Sequence, residues 1–131
     1  MLAVKFPLGE LPVASTSFGS DVDVEMGGGA VTLRFTFPRD GVDYRGGVRF
    51  EKLRAYRWRA ESYCTAWHIE GAYDTIAEVE ESQWVAELVA AEPEHRRGFW
   101  AMRHFMLYVD SAGCFEAVAA SWALLPEEPA A

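Results

Sequence analysis

Apolar and polar residues alternate along two early stretches of the chain. In Asp21-Val22-Asp23-Val24-Glu25-Met26, and again from Ala30 to Phe37, the period is two, that of a half-buried strand. Val31, Leu33, Phe35 and Phe37 point one way, while Thr32, Arg34 and Thr36 point the other. Gly27-Gly28-Gly29 between these stretches predicts a turn; it lacks the downstream Gly-Lys-Ser/Thr of a phosphate loop. Pro38-Arg39-Asp40-Gly41 predicts the next turn. From Val48 to about Ser62 the pattern predicts one long extended stretch, with a bulge near Glu51-Lys52 where the apolar phase shifts.

A change of period marks a helix over residues 82–91. Ser82 is a good N-cap, Trp84, Val85, Leu88 and Val89 form one stripe at helical spacing, and Pro93 ends the run. Tyr73 to Glu80 mixes helix and strand formers and is read as a strand. Arg103-His104-Phe105-Met106-Leu107-Tyr108-Val109, the turn Asp110-Ser111-Ala112-Gly113, and a return from Cys114 to Trp122 predict a C-terminal hairpin. Both of its faces are apolar, so it belongs in the middle of a sheet or beneath a cover. The expected architecture is mainly β (α+β): an antiparallel β-sandwich or open barrel with one short helix, in a single domain spanning residues 1–131.

Composition supports that architecture and narrows the partners. Half of the 131 residues are hydrophobic, and five Trp, five Tyr and eight Phe supply a core that needs no disulfide or metal. The formal charge of −8 repels phosphate backbones and anionic lipid, which argues against nucleic acid or a membrane as partner. A basic protein, a peptide or a small molecule fits better, and a homodimer is compatible with the size. The first fifteen residues interrupt their apolar stretch with Lys5, Pro7 and Gly9, which is unlike a secretory leader. A cytoplasmic location and reduced Cys64 and Cys114 are therefore expected. Charge is also segregated: six Lys/Arg against Glu51 alone between Arg45 and Arg59, then eight acids and no Lys or Arg between Glu70 and Glu94. The two blocks are expected to neutralise each other across neighbouring segments.

Candidate chemistry concentrates in residues 63–74. His68 and Glu70 lie two apart, on one face of an extended segment, in the pattern of a general base oriented by a carboxylate, with Cys64 on that same face. The ordinary role of such a pair is a structural hydrogen bond, and a structural or solvated role is the one expected here. Tyr63, Trp67, Tyr73, Asp74 and His104 are candidate ligand contacts. Arg57 and Arg59 join them, because they project from a strand that otherwise reads as buried and need acidic partners. Cys64, His68, His104 and Cys114 make up a zinc set by composition, but the hairpin separates His104 from Cys114 too far for one metal. No metal and no cofactor are expected, and no serine-hydrolase elbow, zinc-protease helix or calcium loop occurs.

Tyr63-Cys64-Thr65-x-Trp67-His68-Ile69, Tyr73-Asp74-Thr75, Ser82-x-Trp84-Val85-x-Glu87-Leu88 and the stretch from His104 to Ser121-Trp122 resemble a group of small bacterial proteins. Some of that group look like immunity or accessory proteins encoded beside toxins or peptide-modifying clusters. The resemblance covers roughly residues 48–122 and brings no catalytic motif with it. With the charge, the size and the lack of a complete catalytic signature, it fits a non-catalytic interaction protein, immunity- or accessory-like, that binds a peptide or protein. A small tailoring enzyme using His68 and Glu70, an acid–base cyclase or isomerase, is the alternative, and a β-barrel binding a small molecule is a third.

Overall fold

A computed structural model describes residues 4–130 as two antiparallel sheets facing each other. The strands are β1 (Val4–Glu10), β2 (Asp23–Gly27), β3 (Ala30–Arg39), β4 (Val42–Glu51), β5 (Ala55–Arg59), β6 (Thr75–Glu80), β7 (Arg103–Val109), β8 (Gly113–Ala119), β9 (Ser121–Leu124) and β10 (Glu128–Pro129). The first sheet runs β1-β6-β7-β8-β5; the second runs β10-β4-β3-β2, with β9 also paired to β4. Two α-helices, α1 (Ala66–Ile69) and α2 (Gln83–Ala91), lie in the connections after β5 and β6.

The core follows from the alternation. Val31, Leu33, Phe35 and Phe37 of β3 meet Phe105, Leu107, Val109, Phe115 and Ala117 of β7 and β8, all buried. Burial of a side chain of this size contributes about 1.5–3 kcal/mol, so these residues dominate the stabilisation of the sandwich. The C-terminal hairpin is central, as its two apolar faces require. A second, smaller cluster on its outer face joins Ala72, Val79, Met106, Tyr108 and Cys114, with Cys64 and Ile69 packed against it. The glycine triplet is a turn: Gly27 pairs with Ala30, and Gly28 and Gly29 take φ of 60° and 75°. A two-residue hairpin turn of this hand needs that conformation at both positions.

Several sequence expectations change. The stretch from Val48 to Ser62 is two strands in different sheets, β4 and β5, and Lys52, at φ 54°, takes the chain across where a bulge was expected. The return after Cys114 also changes sheet: β8 ends at Ala119, and Ser121 and Trp122 pair with Glu51 and Phe50 of β4. Residues 66–69 form the helical turn α1 and are not extended, because Thr65 and His68 cap it reciprocally. β1 had no counterpart in the sequence pattern. It is an edge strand broken by a register shift between Pro7 and Gly9, a place where proline is tolerated. The helix over 82–91 is present as α2, with Ser82 as its cap and Trp84, Val85, Leu88 and Val89 half-buried.

Candidate functional site

Glu116 lies on β8 between apolar neighbours and points to the outer face of the first sheet, 4% exposed. A carboxylate in such a place must be paired. Arg57 sits opposite in the β5–β8 register and donates Nε and Nη2 to the two carboxylate oxygens, each at 3.0 Å. His104, from the adjacent β7, places Nε2 2.7 Å from Glu116 Oε1. Its Nδ1 lies 2.7 Å from Ser82 Oγ, which also accepts the Val85 amide at 3.2 Å as the cap of α2. Trp84 closes the group, edge-on to the His104 ring at 5.1 Å and beneath the Arg57 guanidinium at 4.0 Å. Burial alone would raise the Glu116 carboxyl; the hydrogen bonds and charges of His104 and Arg57 outweigh it and hold the group at about 2. An ionised Glu116 takes the Nε2 hydrogen of His104, so the neutral ring leaves Nδ1 open to accept from the Ser82 hydroxyl, while the protonated ring donates to it.

The sequence-derived candidates are divided among three places. Arg57 and His104 join this network. His68 does not meet Glu70: its Nδ1 accepts the Thr65 amide at 2.9 Å, and burial followed by the charge of Arg59 lowers its pKa. The Glu70 side chain is exposed, while its backbone carbonyl accepts from Lys5 Nζ at 2.6 Å. Lys5 reaches across from β1 to the Trp67 carbonyl and sits 4.1 Å over the Trp67 ring, so Trp67 and Glu70 pin the 60–72 segment to the sheet edge. Tyr73 stacks on Tyr108 at 5.7 Å. Asp74, at φ 52°, takes the Ser15 hydroxyl and, at 3.0 Å, the Ser15 amide, tying the loop before β2 to the first sheet. Tyr63 is 72% exposed, and Arg59 has no ion pair among the described residues.

The basic block is not neutralised by the acids of 70–94. Arg45 and Arg49 meet Glu25 and Glu51, and Arg57 meets Glu116; Glu78 instead pairs with Arg103 at 2.8 Å. Glu116, Ser82 and Trp84 are the site members absent from the sequence-derived candidates. The available signal was Glu116 itself, one acid on a strand apolar on both faces. Among the described residues no three His, Cys, Asp or Glu side chains gather as metal ligands, and both cysteines are free.

A second feature lies on the opposite side of the first sheet, between the edge strands β2 and β5. Val24 and Met26 pair with Leu33 and Val31, so they face inward, yet they are 42% and 58% exposed. Across the gap Trp58, paired with Phe115, also faces inward and is 53% exposed, its indole held by the Ala112 carbonyl at 2.9 Å. The sheets are thus unsealed along this seam, leaving a hollow of about 430 Å³ lined by Val22, Val24, Tyr56, Trp58 and Phe115. Asp21 stands at its rim, and Asp23 and Glu25 occupy the other face of β2.

No family model, no curated protein and no solved structure matches this chain. No helix among the described residues is long and apolar enough to cross a membrane.

Proposed function

We propose that this protein is an interaction module that binds an extended peptide segment, free or within a partner protein, along the seam between β2 and β5. The observation that carries the reading is the exposure of Val24, Met26 and Trp58, three residues on core-facing positions of edge strands. An edge strand presents one row of unpaired backbone groups, and an incoming strand satisfies them by adding to the sheet. Side chains of an added strand alternate. One set enters the apolar hollow; the other lies beside Asp23 and Glu25. The favoured segment therefore alternates apolar with basic residues, in keeping with the charge of −8. A second copy is a poor occupant of this edge, because β2 against β2 would set Asp23 and Glu25 against like charges.

The test is a titration of acetyl-(Lys-Val)₃-amide followed through tryptophan fluorescence and calorimetry. A segment this small buries a weak-class interface, so a Kd of about 10–100 µM is expected, weakening with added salt. Val24→Asp should weaken binding about tenfold or more, and the matching (Glu-Val)₃ peptide should not bind. Absence of binding by the lysine peptide at millimolar concentration contradicts the reading.

A further inference from the structure

Ser82, His104 and Glu116 stand in a hydrogen-bonded line whose two links are both 2.7 Å. The line leads from a buried carboxylate through a buried imidazole to a hydroxyl that is only partly buried. Ser82 follows Glu81, at φ 54°, in a sharp connection from β6 into α2, so the hydroxyl sits where a strand turns into a helix. In front of it is an open hollow of about 420 Å³ whose walls include Ser82, His104, Val79, Val85, Ala86 and Met102. These bonds also cap α2, and capping alone explains the contact with the Val85 amide. It does not require that the same hydroxyl lie 2.7 Å from a buried histidine that is itself bonded to a buried carboxylate.

We infer that Ser82 is a nucleophile for acyl transfer, with His104 as its base and Glu116 orienting the imidazole, acting on uncharged carboxylic esters with a short apolar acyl group. The arrangement is that of a serine–histidine–carboxylate triad with the two ring nitrogens exchanged, since here Nδ1 faces the serine. In the first step Ser82 Oγ forms a bond to the ester carbonyl carbon and its proton passes to His104 Nδ1. The ester C–O bond then breaks, and the leaving alcohol takes that proton. Water repeats the sequence on the acyl-serine, releasing the acid and restoring Ser82. The imidazolium formed at each stage donates Nε2–H to Glu116, which Arg57 keeps ionised. The Gln83 and Trp84 amides, in the first turn of α2, have no carbonyl partner within the helix and face developing negative charge at its N-terminus. Glu80 and Glu81 at the edge of the hollow repel anionic acyl groups, while Glu78 is neutralised by Arg103.

The full chain is treated with a fluorophosphonate probe and digested for mass spectrometry, and hydrolysis of p-nitrophenyl butyrate is followed in parallel. A single adduct on Ser82 and turnover above buffer are expected. His104→Gln should slow both by about 100-fold or more. Ser82→Asp keeps a good cap for α2, so it should retain the thermal midpoint while losing all turnover. Failure of the folded wild-type protein to label at Ser82 overturns the inference. Labelling at the same rate in His104→Gln also overturns it, because the serine would then react without its base. Neither result bears on the seam, whose residues lie on the other face.

Discussion

Glu116 is the residue on which the outer face of the first sheet depends. Its carboxyl falls from an ordinary 4.5 to about 2 in the folded chain, because His104 and Arg57 together outweigh the cost of burial. A depressed folded value means that the stabilisation is complete above about pH 4.5 and is lost as pH falls toward 2. A shift of this size corresponds to roughly 3 kcal/mol, and Glu116→Gln should forfeit a similar amount by leaving Arg57 and His104 without their anion. Denaturant titrations of wild type and Glu116→Gln should therefore differ by about 3 kcal/mol at pH 7 and converge near pH 2. A constant gap across that range would mean the pair carries no net charge interaction. The single acid in Cys114-Phe115-Glu116-Ala117-Val118 was visible in the sequence as a charge in an apolar strand. Its pairing was not, since Arg57 comes from β5 and His104 from β7, and the Ser82 that holds His104 lies before α2.

At the scale of elements, legibility followed how local the decisive interaction is. The α2 cap, the glycine turn at 27–29 and the central hairpin rest on short-range pattern and were readable from it. The hairpin turn also imposes a backbone demand: Gly113 has φ 112°, and a Cβ there would stand 2.2 Å from the Arg59 carbonyl oxygen. Gly113→Ala should cost about 3 kcal/mol or more by combining left-handed strain with displacement of β5, measurable as a lowered denaturation midpoint. A loss below 1 kcal/mol would show that β5 yields freely at this contact. The extended reading of 66–70 failed because strand-forming residues there are overridden by reciprocal capping between Thr65 and His68 and by the hold of Lys5 on the Trp67 and Glu70 carbonyls. Lys5 is more than sixty residues away in sequence, and no local pattern announces it. The crossing at Lys52 showed in the sequence only as a shift of apolar phase, which a bulge explains equally well, and the one after Ala119 was hidden because β8 is buried on both faces.

For the whole molecule, the sandwich class follows from alternation and from an aromatic-rich composition, but its asymmetry follows from the order of the strands. One face of the first sheet carries the covered polar network; its other face forms the core and opens at the β2–β5 seam. β2 is exposed at every position, and its inward residues find no partner of their own chain that seals them. An added strand would complete both the backbone pairing of β2 and the apolar closure of the seam. Amide hydrogen exchange in the presence of saturating acetyl-(Lys-Val)₃-amide measures that completion directly. With the added strand in place, amides within Asp23–Gly27 should slow by about tenfold or more, with β1 unchanged. Unaltered exchange along β2, or protection at β1 instead, would contradict it.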